Sequence, residues 1–337
     1  MTNEQLIEIF CTLSMDEKER LINKFIDEWE AESTDLNTIM HELEGIKIKS
    51  PACVHCNSED TYKRGRIKGI QRYSCKLCKK YWMSTHGTSL AGLHKRNLWK
   101  TYIRVFESGY SIRKAAKEVG ICIQTSFRWR HRLLASISCF LPKMVSGISE
   151  CNDIQMPKSY KGQRRVQQTF PKGKTPSLTE NREMISILTS VSRNKQTAIS
   201  NVIGASKVKA EHIQQIFRDN VEPGSILITR SSNCYKSLDQ LDTIKHISIE
   251  PSKRPGKKNL IHVEFVQKNQ LSFKTFLLPF RGVATKYLQN YLNWHHYRDT
   301  TKSRIDKLRQ ALIVSLISDK AFEWMKKINN NDTIIIT

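Results

Sequence analysis

Apolar residues follow two rhythms along this chain, one with helical spacing and one that alternates. In "LSMDEKERLINKFIDEW" (13–29), Leu21, Ile22, Phe25, Ile26 and Trp29 recur at intervals that place them on one face of a helix. Ser14 and Glu17 are spaced as a capping box at its start. Residues 1–30 are therefore expected to form a helical hairpin whose stripe packs on its own chain, with a dimer contact as the alternative. The stretch 31–51 reads as a polar connector with a short helix, ending at Pro51.

Past residue 145 the rhythm changes. "SGISECNDIQMPKSYKG" (146–162) alternates as a strand does. "EMISILTSVSRN" (183–194) and "TAISNVIG" (197–204) read as a strand pair turning at Asn194 and Lys195. "KVKAEHIQQIFRDN" (207–220) is an amphipathic helix, while "SILIT" (225–229) and "TIKHISIE" (243–250) are short strands of the buried type. From about residue 283 the chain is expected to be helical, with Val283, Tyr287, Leu288, Tyr291 and Leu292 on one face. This order predicts an α/β domain around a mixed sheet. The basic, turn-rich stretch 160–182 reads as a loop.

Charge changes the picture. Lys and Arg number 55 against 32 Asp and Glu, a net of +23. Residues 1–45 hold 12 acidic and 3 basic side chains, so the remainder carries 52 basic and 20 acidic, a net of +32. A field of that size selects polyanions, with nucleic acid as the default partner. No stretch approaches the roughly 18–20 apolar residues that span a bilayer, and an acidic N-terminus is unlike a signal peptide. The expectation is a cytoplasmic, nucleoid-associated protein without membrane contact. In that compartment the nine cysteines are thiols and metal ligands rather than disulfides.

Four of them make the strongest motif. "CVHC" (53–56) and "CKLC" (75–78) are two knuckles separated by 18 residues, the spacing of a zinc ribbon. Cys53, Cys56, Cys75 and Cys78 would close a tetrahedron of thiolates, making the zinc structural. Between them "TYKRGRIKGIQRYS" reads as a basic hairpin turning at Lys68 and Gly69, and His55 as a surface residue.

Next, "SIRKAAKEVGICIQTSFRWRHRLL" (111–134) reads as two helices crossing closely. Ser111 caps the first, Ala115, Ala116 and Val119 face inward, and Gly120 stops it. The second begins near Ile123, with Phe127 and Leu134 toward the core. Gln124, Arg128 and Arg132 recur on one face with Thr125 beside them. That is the pattern of a helix-turn-helix, and these four residues together with Lys114 are the expected DNA contacts. Cys122 stands where Ser or Thr would cap the second helix.

With those motifs in order, residues 53–134 resemble the N-terminal half of the bacterial insertion-sequence transposases of the ISXO-like, zinc-ribbon family. The likeness is carried by "RYSCKLCKKYWMSTHGTSLAGLHK" and "SIRKAAKEVGI…TSFRWRHRLL", and it resumes at "FRGVATKYLQNYLNW" (280–294). It implies an RNase H-like domain in which acids on adjacent strands bind two Mg²⁺ ions that cleave and join double-stranded DNA, typically at terminal inverted repeats. The expected architecture is multidomain α+β. It comprises a helical N-terminal segment (1–48), zinc ribbon (49–92), helix-turn-helix domain (93–140), RNase H-like mixed-sheet domain (145–298) and C-terminal helical segment (299–337). A homo-oligomer is an open alternative.

The family's catalytic positions are altered in this chain. Its first acid lies two residues after the Glu of the first strand; Glu150 matches that Glu, and the catalytic position is Asn152. The second falls at Arg230 and Ser231. In the third region Gln267 and Gln270 stand where an Asn and a His are expected, and Lys274 is retained. Asp153 would face away from Asn152, and Glu264 alone cannot assemble a two-metal site. The expected function is DNA binding by a transposase-derived chain with an inactive centre, so that Mg²⁺ matters only if the centre is active. Two alternatives remain: an active transposase whose acids lie elsewhere, and a regulator or scaffold contacting RNA or protein.

Overall fold

The alternating stretches past residue 145 form one five-stranded sheet. In this computed structural model β1 to β3 belong to a smaller sheet nearer the N-terminus, so the large sheet comprises β4 (Ile148–Pro157), β5 (Met184–Ser192), β6 (Ala198–Ile203), β7 (Ile226–Arg230) and β8 (Lys245–Ile249). Its order is β6-β5-β4-β7-β8. The first three strands form an antiparallel meander, while β7 and β8 run parallel to β4. Residues 52–162, 183–193, 197–203, 207–249, 261–300, 304–318 and 321 are described. The expected hairpin at 1–30 and most of the loop at 160–182 lie outside them.

Helices cover both faces of this sheet, and β5 is buried along nearly its whole length. The helix at Ala210–Asn220 inserts Ile213, Ile216 and Phe217 against Cys151, Leu188 and Leu227. On the opposite face, helices at Glu264–Leu277 and Leu288–Thr300 bring Phe273, Leu288 and Leu292 onto Ile185, Ile187 and Val202. Full burial of each such side chain contributes about 1.5–3 kcal/mol. Neighbouring β5 residues Ile187 and Leu188 thus serve opposite cores, as the pleat requires.

One expectation is corrected here. The helical stretch expected from about 283 is present as a turn at Thr285–Tyr287 and a helix at Leu288–Thr300, but a further helix at Glu264–Leu277, not expected from the sequence, precedes it. The Glu264–Leu277 helix buries Gln270 between Val266 and Phe273 and leaves Phe265 and Leu271 exposed. A buried amide and exposed apolar residues blur the helical period in the sequence.

A second unit comprises the described residues up to 140 together with 304–318 and 321. It opens with an antiparallel sheet, β1 (Thr61–Ile67), β2 (Ile70–Cys75) and β3 (Tyr81–Met83). Lys68 and Gly69 both have positive φ, 50° and 79°, which gives the tight turn expected of a two-residue hairpin. Helices α1 (Trp99–Glu107), α2 (Ile112–Val119), α3 (Ile123–Ile137) and, in chain order after α4 (Ala210–Asn220), α5 (Glu264–Leu277) and α6 (Leu288–Thr300), α7 (Arg304–Ile317) complete the set. Trp99, Tyr102 and Trp129 cluster with ring centroids 5.3–6.0 Å apart. The Trp99 indole N–H donates to Ser315 on α7 at 3.0 Å. Helix α7 therefore packs on α1 and α3 of this unit. No helix among the described residues is long and apolar enough to cross a membrane.

Candidate functional site

The cysteine knuckles are shaped by their own backbones. Asn57 and Lys79, which follow Cys56 and Cys78, have φ near +58°, so each chain folds back directly after its second thiol. The His55 N–H points at the Cys53 sulfur and the Cys78 N–H at the Cys75 sulfur, both at 3.4 Å. The Cys78 N–H lowers the Cys75 thiol pKa, which favours the thiolate that metals need. Cys53 and Cys78 sulfurs lie 3.5 Å apart, those of Cys56 and Cys75 3.6 Å, and all four lie within 4.8 Å of one another. Metal–sulfur bonds of about 2.3 Å in a tetrahedron set sulfurs about 3.8 Å apart, so the four donors fit such an ion. Tyr73 and Trp82 close the apolar side of the cluster.

Helices α2 and α3 meet as their residues predict. The Ser111 hydroxyl accepts from the Lys114 N–H at 3.3 Å, and Ala115, Ala116 and Val119 are buried. Gly120 has φ +70°; its N–H donates to Lys117 and that of Ile121 to Ala116, the pair of bonds that stops a helix on a left-handed residue. Cys122 caps α3 with sulfur, accepting from the Thr125 N–H at 3.4 Å. Among the expected DNA contacts, Gln124, Arg128 and Lys114 are exposed and Thr125 is half-buried. Lys114 Nζ lies 3.7 Å from the Tyr110 ring centroid. Arg132 differs: its guanidinium donates to the carbonyls of Ala91 at 2.7 Å and Ser89 at 3.3 Å. Phe127 is half-buried, its ring 4.5 Å from that of His131.

The third place is where β4, β7 and α5 meet. Ladder pairing runs from Ile148 opposite Ile226 to Cys151 opposite Thr229, so the next residues, Asn152 and Arg230, come side by side. Asn152 Nδ2 donates to Gln270 Oε1 at 3.0 Å, and Gln270 Nε2 returns a bond to the Asn152 carbonyl at 2.9 Å. Gln267 is half-buried one turn earlier on α5, and Lys274 is exposed one turn later. Asp153 faces the other side of the sheet, where the Tyr235 hydroxyl donates to it at 2.8 Å. Burial raises the Tyr235 pKa, so this phenol stays protonated as a donor. Glu264 is exposed in the first turn of α5.

Glu150 has a role the sequence did not reveal. It is fully buried, and its carboxylate accepts from Arg193 Nε at 2.7 Å and from the N–H groups of Phe265 at 2.8 Å and Val266 at 3.2 Å. His262 Nδ1 lies 3.2 Å away. The carboxylate therefore caps α5 from the middle of the sheet, where the helix dipole favours negative charge. An acid in the buried half of β4, with Arg193 just past the end of the partner strand β5, is the signal that could have exposed this arrangement. Among the described residues the four cysteines are the one group of at least three Cys, His, Asp or Glu close enough to share an ion.

Residues 151–300 match the ISXO2-like transposase domain. No curated protein matches the chain. Among solved structures, "Mos1 transposase paired-end complex with left transposon end" is 10% identical with a TM-score of 0.28, covering 71% of this chain and 80% of that one. "CryoEM structure of simian T-cell lymphotropic virus intasome in complex with PP2A regulatory subunit B56 gamma" is 8% identical with a TM-score of 0.28, covering 58% and 67%.

Proposed function

We propose that this chain, whose residues 151–300 match the ISXO2-like transposase domain, is a transposase-derived DNA-binding protein whose phosphoryl-transfer centre is inactive. The observation that carries the reading is the closed Asn152–Gln270 pair beside Arg230. Two-metal transfer needs several carboxylates converging on ions about 4 Å apart. The corresponding positions here hold an amide bonded to an amide and a guanidinium that would repel a divalent ion at close range. The strand order of the sheet, with three antiparallel strands followed by two parallel to the first, supports the RNase H-like reading.

DNA recognition rests on the first unit. A zinc ion in the cysteine cluster would hold the ribbon, and the α2–α3 pair would serve as a helix-turn-helix that places Gln124, Thr125 and Arg128 at base edges. Arg132, committed to two carbonyls, positions the start of the helical unit more than it contacts DNA. The test combines binding and strand cleavage on duplexes carrying the element's terminal sequences. Binding should weaken steeply with salt, as phosphate contacts release counterions, and neither Mg²⁺ nor Mn²⁺ should support cutting or joining. Arg128→Ala should weaken specific binding by about 1–3 kcal/mol. Cleavage lost on Asp153→Ala would show an active centre displaced by one residue and overturn the inactive reading.

A further inference from the structure

The ribbon sheet has a face that neither the metal nor the fold uses. Tyr73, Trp82 and Cys75 point to the metal side. The opposite face follows from the register: Tyr62 pairs with Ser74 and Ser74 with Tyr81, so the two tyrosines stand in one row across three strands. A bulge places Arg64 and Gly65 opposite Arg72, and Gly65 has φ +76°. Arg64 Nη2 donates to the Tyr62 hydroxyl at 2.8 Å, and its guanidinium lies 4.9 Å from the Tyr62 ring centroid and 6.0 Å from that of Tyr81. The Arg72 guanidinium lies 4.7 Å from the Tyr81 centroid. Ring and guanidinium therefore alternate through four flat groups, and Tyr81 is 50% exposed.

We propose that this face is a stacking platform for unpaired DNA bases. Aromatic rings and arginine planes are the groups on which single-stranded bases stack, each base offering a π-face regardless of sequence. A duplex hides those faces within its own stack; phosphate contact alone would leave the exposed Tyr81 and half-buried Tyr62 rings without a role. Arg64 lies between two rings, where a flat base would fit, and its swing toward a phosphate opens that slot. The charge agrees: no Asp or Glu stands between Asp60 and Glu107, while twelve Lys and Arg do. The ligand is thus a strand opened or frayed beside a duplex held elsewhere on the chain. This rests on the DNA-binding reading given above, and the experiment separates the two.

The experiment measures fluorescence anisotropy of the full-length, zinc-replete protein with oligo(dT) and with a duplex of equal length at one salt concentration. Tyr62→Leu and Tyr81→Leu should each weaken single-strand binding about tenfold, the scale of one lost base stack, with duplex affinity changed less than twofold. Tyr81→Phe, which keeps the ring, should bind as the parent does, and Arg64→Lys, which keeps the charge without the plane, should lose affinity for the single strand alone. If a leucine variant loses its zinc, the phenylalanine and lysine variants decide. Unchanged single-strand binding in the leucine variants, or equal losses on both probes in Arg64→Lys, would overturn the platform while leaving duplex recognition intact. A parent protein that binds neither probe would overturn both readings.

Discussion

The cysteine cluster and the β4–β7–α5 junction both correspond to places where a divalent ion is expected from the family resemblance, yet their donors are arranged in opposite ways. Four sulfurs converge within 4.8 Å of one another, with the His55 and Cys78 N–H groups 3.4 Å from two of them. At the junction, Asn152 and Gln270 satisfy each other with two hydrogen bonds, and Arg230 fills the neighbouring position. Sulfurs that converge on one point need an ion to hold them together as thiolates. Donors aimed at each other do not. The difference lies in polar satisfaction, because buried polar groups must be paired one way or another, and it distinguishes the two places more sharply than residue identity does.

The largest effect that would sharpen this contrast is loss of a sulfur. Cys75→Ser removes one of four ligands and a fully buried side chain from a module with a small core of its own. Structural zinc contributes about 10–16 kcal/mol of apparent binding free energy in isolated zinc-finger peptides. The variant should therefore lose its metal, and hydrogen exchange should show residues 52–85 open while the strands after 148 keep their protection. Chelation of the parent protein should reproduce that pattern. Retained protection in the ribbon after either treatment would mean that the cluster does not depend on an ion.

Next in size is the acid that remains. Glu150 is a buried carboxylate held by Arg193 and two N–H groups of the α5 start, so its charge is expected to serve the fold of the five-stranded domain rather than a metal. Glu150→Gln leaves the Arg193 guanidinium without its counter-charge and should cost about 3–5 kcal/mol in urea unfolding, the usual result of removing one partner of a buried pair. A cost below about 1 kcal/mol would show that the helix start is held by packing alone, and would return Glu150 to the list of groups free to serve an ion.

How much of this was legible in the sequence depended on the range of the interaction. The knuckles, the Lys68–Gly69 turn and the Gly120 stop are local: spacing and backbone preference set them, and they stand where residue types predicted. The strand segments were legible from short-range pattern: β4 alternates apolar and polar residues, whereas β7 is a short apolar run of the buried type. What was hidden came from long-range contacts. Glu150 meets α5 more than 110 residues later, Asn152 meets Gln270 at a similar separation, and Arg132 binds carbonyls about 40 residues earlier. Nothing in the local pattern marks such partners. The α5 helix was missed for the same reason, since its buried face is completed by a glutamine whose partner is a strand residue.

The smallest effect tests the junction itself. Asn152→Asp turns the donor facing Gln270 Oε1 into an acceptor, so one bond is lost and two oxygens oppose each other. The expected cost is about 1–3 kcal/mol, the penalty for a buried polar atom deprived of its partner. Adding Mg²⁺ should not recover it, because Arg230 remains beside the new carboxylate. The double change Asn152→Asp with Arg230→Asp places two acids at adjacent positions of parallel strands and removes the repelling charge. It should gain a Mg²⁺-dependent rise in melting temperature that neither single variant shows, while strand cleavage stays absent because Gln267 and Gln270 still occupy the third region. A Mg²⁺-dependent rise already present in the parent protein would show that the junction binds an ion as it stands, and the contrast with the cysteine cluster would fail.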